Sequence, residues 1–398
     1  MDFKLTKTQM LQQELFRKFA ETEIKPIAKD MDEAEDYDRE LLQKLQKIGA
    51  FGIPYSREYG GQGADVLTYT LCMEEMSKVD ASTGITLSVH TSLCCPCINE
   101  FGTEEQKQKY LRPLVDGSKI GCFGLTEPGA GTDAAGVKTT ADKTEDGKYY
   151  VLNGTKMFTT NSGFADTFIV FALTDKSKGP KGMSAFIVER EFEGLSVGPN
   201  IERMGIRAPG VTVSDNIKRM GIRAASNCEV IYENVKVPAE NLLGKEGQGY
   251  KIAMTALGGG RIGIGAQSVG IAQGAIDETL KYVKERKQGG KPIGKYQNTQ
   301  FKLAEMQTKT DAARLMVWRA ATEKDLHGNY APYAAMCKMF ASETANEVTR
   351  MAVQLFGGYG YCREYPVERA MRDAKITEIY EGTSEVQKIV IAASVLGK

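Results

Sequence analysis

The feature that most constrains the fold is a change of sequence texture that occurs twice along the chain. Residues 1–118 carry apolar side chains at helical spacing, as at Leu11 and Leu15. Residues 119–243 instead form short runs rich in β-branched and aromatic residues, such as TFIVFALT and MSAFIVE, separated by turn residues. Helical periodicity returns over residues 244–398. This order predicts an α+β multidomain protein in which a middle antiparallel β-domain, a barrel or sandwich, lies between two helical domains.

Charge and hydropathy exclude several classes of protein. Lys and Arg together number 51, as do Asp and Glu, so the basic excess of a nucleic-acid-binding protein is absent. No apolar run approaches the length of about 18 residues that a membrane span requires. The start, MDFKLTKTQM, resembles neither a signal peptide nor a transit peptide. We therefore expect a cytoplasmic protein with no membrane span and no nucleic-acid partner.

The cysteines do not form a convincing metal site. The chain has eight Cys and two His, and the cluster LCCPC at 93–97 provides one C-x-x-C match without the second pair that a structural zinc site needs. We expect these thiols to pack inside helices, and we expect no metal. The scarcity of His also weakens any Ser-His or Cys-His nucleophile hypothesis.

One internal repeat is present. The segment NIERMGIRA (200–208) recurs as NIKRMGIRA (216–224), with eight of nine positions identical. A single pair is too short for a solenoid. The favoured interpretation is a local duplication that forms an extended loop of the β-domain, and the alternative is an inserted segment that binds a partner or gates substrate.

A G-x-G-x-x-G match at Gly258, Gly260 and Gly263 does not indicate nicotinamide binding. The dinucleotide fingerprint requires a preceding strand and a βαβ unit, whereas the preceding KIAMTAL continues a helical pattern. Small residues for close helix packing are the better interpretation.

Two stretches of the β-region suit a polar cofactor. FGLTEPGAGTDA (123–134) leaves a predicted strand and places glycines, hydroxyls and an acidic residue in a short loop that can expose backbone N–H groups to a pyrophosphate. TKMFTTNSG (155–163) ends another strand with an aromatic residue and two threonines, which could flank a flat heterocycle. Ordinary turns and strand ends use the same residues.

Near the C-terminus, Glu381 precedes a predicted helix. Ser384 and Gln387 fit an S-x-x-Q capping box, so Glu381 would lie beside the positive end of that helix. Such a Glu is usually a solvated partner of the helix dipole. Desolvation could instead raise its pKa and suit it to proton abstraction.

Taken together, the α–β–α order, these stretches and QLFGGYGY (354–361) resemble the acyl-CoA dehydrogenase family over essentially the whole chain, most closely its short-chain butyryl-CoA branch in anaerobic bacteria. The resemblance implies an N-terminal helical domain, a middle β-domain and a C-terminal four-helix bundle, assembled as a homotetramer. It also implies FAD as cofactor, a short-chain acyl-CoA as substrate and an electron-transferring flavoprotein as electron acceptor.

The resemblance further implies roles for individual residues. Glu381 would remove the α-proton of the thioester while the β-hydrogen leaves as hydride to the flavin, and Gly260, at the family's alternative position for the base, could not replace it. Substrate contacts would come from Thr132, Gly258, Arg261 and Gly382. FAD contacts would come from Phe123, Leu125, Thr126, Gly131 and Thr132; from Phe158, Thr159 and Thr160; from Thr383, Ser384 and Glu385; and, across a subunit interface, from Arg286, Gln297, Gln354, Leu355, Phe356, Gly357 and Gly358.

The chain departs from the family pattern at several points. Gly258 replaces a common Asp that helps to hold the pantetheine arm, which puts CoA binding partly in doubt. RKQGGKP (286–292) stands where the family usually has R-x-Q-F-G-x-P, so Gly289 removes an apolar FAD contact. The repeat lengthens the β-domain near the expected site.

Several functions remain open from the sequence. The same site could run in reverse as an enoyl-CoA reductase, or give its electrons to oxygen as an oxidase does. A flavin-free interaction subunit with the same fold is a non-enzymatic alternative.

Overall fold

The computed structural model describes residues 4–192, 210–213, 215–326 and 328–397, with 210–213 described for the backbone only. Its N-terminal part is helical, as the sequence predicts. The helices are α1 (Lys7–Phe19), α2 (Ala28–Ala34), α3 (Arg39–Lys47), α4 (Val66–Ser77), α5 (Ala81–Ser88), α6 (Cys95–Phe101), α7 (Glu104–Gln106) and α8 (Arg112–Val115).

The helical pattern predicted over 68–100 is divided into shorter pieces. Asp65 and Asp80 each accept a hydrogen bond from the residue three positions on, so α4 and α5 have separate N-caps. A π-helical segment, Val89–Cys94, joins α5 to α6. It carries the buried His90, whose Nδ1 accepts a hydrogen bond from the Gly121 N–H at 3.0 Å. This contact connects the N-terminal helices to the first strand.

The middle region forms one sheet with the order β6-β7-β3-β2-β4-β5-β8, and β1 pairs with β4. Most pairs are antiparallel, as predicted, but β1 and β2 each pair with β4 in parallel. Along the chain, the β2–β3 hairpin separates β1 from β4. This connection is long enough for β4 to run in the same direction as β1 and pair with it in parallel. The strands are β1 (Gly121–Gly124), β2 (Thr140–Lys143), β3 (Tyr149–Thr160), β4 (Thr167–Leu173), β5 (Met183–Glu189), β6 (Gly210–Val213), β7 (Asn227–Pro238) and β8 (Leu242–Leu243).

Both faces of the central strand β4 are buried. Phe168 and Val170 belong to the core enclosed by the sheet, whereas Ile169 and Phe171 belong to a second core shared with the helices. A strand covered on both sides reads as a continuous apolar run rather than an alternating one. This is why the residues of β4 after Thr167 are all apolar.

The C-terminal part is helical again and follows a short hairpin of β9 (Lys287–Gln288) and β10 (Lys291–Pro292). The glycines of the G-x-G-x-x-G match lie inside the long helix α9, with no strand before them, so the match is not a dinucleotide fingerprint. No helix in the described part of the chain is long and apolar enough to cross a membrane. The helices are α9 (Gly249–Glu285), α10 (Gln297–Asp325), α11 (Ala331–Phe356), α12 (Pro366–Ile376) and α13 (Ser384–Val395).

The second copy of the repeat packs between the two helical parts. Ile222, which is buried, donates its backbone N–H to Asp373 Oδ1 on α12 at 2.6 Å. Arg223 and Lys218 both contact the Glu35 carboxylate at the end of α2. This copy contains no helix or strand, so the prediction of a loop is confirmed for it, and its backbone and side chains are held by both neighbours. The first copy, 200–208, lies outside the described residues.

Candidate active site

Glu381 lies in a tight turn between α12 and α13. Its backbone is left-handed, with φ of 52°, and the next residue, Gly382, has φ of 94°. Left-handed backbone is uncommon outside glycine and costs of order 1–3 kcal/mol. The turn directs the side chain toward α9, where a Cβ on Gly260 would collide with Glu381 Oε2. The absence of a side chain at Gly260 therefore leaves room for the carboxylate.

The carboxylate is buried and without a partner. Neither Oε1 nor Oε2 of Glu381 forms a hydrogen bond with any described residue. Burial raises its pKa to about 8, and the charges of Lys338 and Arg261 oppose this shift. Burial likewise lowers the pKa of Arg261, and its Nε has no partner in the described part. A desolvated carboxyl with a pKa near neutrality is suited to accept a proton.

The predicted capping box at the start of α13 is wrong. The N-cap is Thr383, one residue earlier, and its hydroxyl accepts a hydrogen bond from the Val386 N–H. Gln387 instead donates to the carbonyl oxygens of Gly382, at 2.7 Å, and Glu381, at 3.4 Å. The Ser384 N–H, which the capping box would require as a donor to Gln387, donates instead to the Glu378 carbonyl at 3.0 Å. Ser384 Oγ remains buried without a described partner.

Consecutive glycines of α9 make room for other elements. A Cβ on Gly258 would lie 3.3 Å from the hydroxyl of Tyr330, and one on Gly259 would meet the Lys324 side chain. One turn beyond Gly260, a Cβ on Gly263 would lie 2.7 Å from the Tyr69 hydroxyl. Along this part of α9, polar side chains from other elements therefore lie against the glycines, in space that side chains of α9 would otherwise fill.

The loop after β1 contains the predicted cofactor residues Phe123, Leu125, Thr126, Gly131 and Thr132. Gly129 and Gly131 face open space, and Thr132 is exposed, so this part of the loop is accessible to a ligand. Leu125 belongs to the same apolar core as Leu93 and Tyr380, which lie beside Glu381. The loop and the Glu381 turn thus both border this extended apolar core.

A buried ion pair supports that loop. Lys156 Nζ on β3 lies 2.8 Å from Glu127 Oε1 and donates to the Leu125 carbonyl at 3.1 Å. Glu127 also accepts the backbone N–H groups of Lys138 and Thr139. Burial lowers the pKa of Lys156 to about 8, and Glu127 opposes the shift. Both residues were missed from the sequence, and a Lys on a strand otherwise rich in apolar and hydroxyl residues was the available signal.

The end of β3 provides the other predicted flavin residues. Phe158 has a left-handed φ of 55° and is 56% exposed. Thr159 Oγ1 is buried without a described partner, whereas Thr160 Oγ1 accepts from Asn227 Nδ2 at 3.0 Å. An exposed aromatic ring beside an unsatisfied hydroxyl is the arrangement expected of a ligand surface.

The residues predicted to reach a neighbouring subunit form a second group. Phe356 stacks on Tyr282 with 4.0 Å between ring centroids, and the Arg286 guanidinium lies 5.2 Å from the ring of Tyr359. Gln297 is exposed at the start of α10. No hydrogen bond or ring contact among the described residues joins this group to the Glu381 turn. The exposed members of the group are Arg286 in part, Gln354, Gly357 and Gly358, and Leu355 is half-buried.

Gly289 suits the turn in which it lies. Gly289 and Gly290 are the central residues of the β9–β10 hairpin, with φ of 56° and 81°. Two consecutive positive φ values define the tight hairpin turn that glycine accommodates best. The departure from the family pattern at Gly289 therefore removes an aromatic side chain and relieves backbone strain.

Two clefts lie away from Glu381. One, of about 690 Å³, opens between α1, α2, α4, α9 and α12 and has acidic and basic walls. The other, of about 260 Å³, lies under the Glu127 loop. Neither is lined by Glu381. Among the described residues, no cluster of His, Cys, Asp and Glu is arranged to bind a metal ion, and Cys94, Cys95 and Cys97 are buried.

Comparison with family models covers most of the chain. Residues 6–118 match the acyl-CoA dehydrogenase N-terminal domain, residues 122–209 the middle domain, and residues 247–396 the C-terminal domain.

Two curated relatives align over nearly their full length. A short-chain specific acyl-CoA dehydrogenase of Clostridium acetobutylicum is 52% identical, with 99% of this chain and 100% of the relative covered. An acryloyl-CoA reductase (NADH) of Anaerotignum propionicum is 47% identical, with 100% and 96% covered.

Two solved structures share the fold. Butyryl-CoA dehydrogenase of Megasphaera elsdenii is 48% identical with a TM-score of 0.94, and both chains are covered completely. A chain from work on the electron transferring flavoprotein of Acidaminococcus fermentans is 49% identical with a TM-score of 0.94 and the same full coverage. The three matching domains, in this order around an appropriately buried carboxylate, show that the chain is an oxidoreductase of the acyl-CoA dehydrogenase family.

Proposed function

We propose that this protein removes the α- and β-hydrogens of a short-chain acyl-CoA, with butyryl-CoA as the model substrate, and that Glu381 is the α-proton base. The single observation that carries the proposal is the buried, partnerless Glu381 carboxylate, whose pKa is raised to about 8. A general base with a pKa near the working pH combines sufficient basicity with a useful ionised fraction.

The residues predicted to contact FAD have the chemistry that this cofactor requires. Buried polar atoms without described partners occur at Thr159 Oγ1 and Ser384 Oγ, and open space faces Gly129 and Gly131. These atoms and the exposed Phe158 would hold the flavin and its phosphates. When bound, FAD supplies the hydride acceptor that no amino-acid side chain provides.

The turn around Glu381 would also polarise the substrate. The α-proton of a thioester is a weak acid, so its removal requires donors to the carbonyl oxygen, each worth of order 3 kcal/mol. The Glu381 backbone N–H makes no hydrogen bond to another described residue and is available as one such donor. Base and donor would then come from the same residue, which fixes their separation.

A second candidate function is the reverse reaction, reduction of an enoyl-CoA. The observation that favours it is the 47% identity to an acryloyl-CoA reductase. In this direction Glu381 would return the proton to the α-carbon, and a pKa of about 8 leaves the carboxyl largely protonated at neutral pH. The geometry is the same for both directions.

We further propose two protein partners. An electron-transferring flavoprotein would exchange electrons with the bound flavin, as the likeness to a chain from work on such a flavoprotein suggests. Other copies of this chain would form a homotetramer, which would cover exposed apolar side chains of α10 such as Phe301 and Leu315.

The test of the proposed function is Glu381→Gln, which keeps the shape of the side chain and removes the base. We expect FAD binding to survive and anaerobic bleaching of the flavin by butyryl-CoA to slow by several orders of magnitude. Glu378→Gln is the matched control, because Glu378 lies three residues earlier and pairs at the surface with Lys375. Unchanged bleaching in Glu381→Gln would remove this residue from the mechanism.

A further inference from the structure

A lysine lies buried behind the Glu381 turn. Lys338 is on α11, and its side chain is completely buried. Its Nζ donates a hydrogen bond to the Gly382 carbonyl oxygen at 2.8 Å. Burying an ammonium group is expensive, and a single carbonyl partner offsets only part of that penalty. A buried charge that contacts a functional turn therefore calls for a functional explanation.

The Gly382 carbonyl is held from two helices. Lys338 approaches it from α11, and Gln387 Nε2 approaches it from α13 at 2.7 Å. The turn that they hold contains consecutive left-handed residues, Glu381 and Gly382. Such backbone persists only where its surroundings over-determine it. The two donors therefore stabilise the conformation that directs Glu381 toward α9.

The charge of Lys338 also acts on the carboxyl group. Lys338 and then Arg261, on α9, lower the pKa of Glu381, against the larger effect of burial. Burial in turn lowers the pKa of Lys338 to about 8, while Glu381, Glu378 and Glu385 raise it and Arg261 lowers it further. The other titratable groups facing Glu381 are Tyr69 on α4 and the adjacent Tyr380, both of which stay neutral because burial raises their pKa values.

We propose that Lys338 is a positioning residue for the base: its hydrogen bond fixes the Glu381–Gly382 turn, and its charge favours the ionised form of the Glu381 carboxyl. Lys338 touches neither the acyl group nor the flavin in this role and acts through Glu381 alone. The inference rests on the proposed function of Glu381.

The test is the pH profile of flavin bleaching by butyryl-CoA in Lys338→Met, which keeps the length of the side chain and removes both donor and charge. Loss of a nearby positive charge should move the acid limb of the profile upward by about one pH unit or more. At a given pH below the limb, the variant should bleach about tenfold more slowly than the parent, because a shift of one pH unit lowers the ionised fraction of Glu381 tenfold. A purely structural role would lower the rate by one factor at every pH and leave the limb in place.

Other variants keep the inference testable. Lys338→Arg retains the charge and should keep the limb near its original pH, whereas Lys338→Gln is a second neutral variant, more tolerant of burial, that should shift it. Gln387→Leu removes a neutral donor and should lower the rate without moving the limb. Lys309→Met is the control. Lys309 is a partly exposed lysine on α10, and it pairs with Glu347, which lies on α11 as Lys338 does.

The outcomes separate this inference from the proposed function. An unmoved acid limb in the neutral Lys338 variants overturns the role of Lys338 while leaving Glu381 as the base. Undiminished bleaching in Glu381→Gln instead overturns the proposed function, whatever the Lys338 variants show.

Discussion

The residue on which the chemistry depends combines two unfavourable features. Glu381 has a left-handed backbone and a desolvated carboxylate, and each costs free energy that the rest of the protein must offset. Strain of this kind concentrates at functional sites because it holds a group ready for reaction. Gly260 contributes by having no side chain, so that the carboxylate fits against α9.

We expect Gly260→Ala to displace the base. The added methyl group would collide with Glu381 Oε2 and would lie 2.8 Å from Leu93 Cδ2. Flavin bleaching by butyryl-CoA should slow at least tenfold, while helix α9 should gain a little intrinsic stability because Ala is a better helix former than Gly. Gly265→Ala on the same helix is the control, since its methyl group would meet Val317 and Cys337 rather than Glu381. Equal rates in both variants would contradict this account of the space at Gly260.

Individual residues also show which parts of the site the sequence could predict and which it could not. The sequence identified Glu381 as a residue before a helix, but its burial depends on α9 and α11, which are distant along the chain. Lys338 and Lys156 gave no motif, because a buried lysine is recognised only by the partners that folding brings to it. The capping box was misplaced because the Ser384 N–H donates to the Glu378 carbonyl, an acceptor that the local pattern does not reveal. The predicted FAD contacts remain predictions.

At the scale of elements, local patterns predicted the strands and helices well. Strands such as TFIVFAL appear where β-branched and aromatic residues cluster, because those residues suit a buried pleated surface. Pairing was less predictable, since the parallel contact of β1 with β4 depends on which strands fold between them. The same limit applies to α12, whose Asp373 lies under the repeat in a way that no local pattern indicates.

Asp373 should make stability depend on pH. Burial raises its pKa to about 7, well above the ordinary value near 4, so the folded state binds the proton more tightly than the unfolded state. This contribution to the free energy of unfolding is complete below about pH 4 and is lost as the pH rises through about 7. The Asp373→Asn variant has no titratable group here, so its free energy of unfolding should not show this loss. Its side-chain oxygen can still accept the hydrogen bond from the Ile222 N–H.

Thermal unfolding from pH 4 to 8 is the measurement. The difference in Tm, variant minus parent, should grow with pH up to about 7 and then level off, and it corresponds to a few kcal/mol at most. Asn153→Ala on β3, which removes a non-titratable side chain that donates to Asn234 Oδ1, should give a difference that stays constant with pH. A constant difference for Asp373→Asn as well would show that this carboxyl does not titrate abnormally.

At the scale of the whole molecule, the repeat links the three regions. Its second copy follows β6 and precedes β7, and it contacts Glu35 at the end of α2 and Asp373 on α12. Arg219 donates to the Ile222 carbonyl and to the Arg223 carbonyl within the copy, so the segment holds its own shape. One copy is therefore sufficient to connect the β-domain to both helical parts, and we infer that the extra 16 residues are dispensable, although they include the edge strand β6.

Two different deletions of 16 residues test this inference. The two shortened chains that result differ from each other at only one residue. Removing 200–215 leaves one copy with Lys218, and removing 203–218 leaves one copy with Glu202 in its place. Both products should fold and bind FAD, because the Arg, Gly and Ile residues that fix the second copy are the same in both copies. The Lys product should be more stable by up to about 1 kcal/mol, since Lys218 pairs with Glu35 at 2.7 Å, whereas Glu would face a like charge across an exposed contact. Chemical denaturation of both products and the parent gives these differences. Failure of both deletions to fold would show that the deleted stretch, with its strand β6, belongs to the structural core. Equal stability of the two products would show that the Lys218–Glu35 pair contributes nothing.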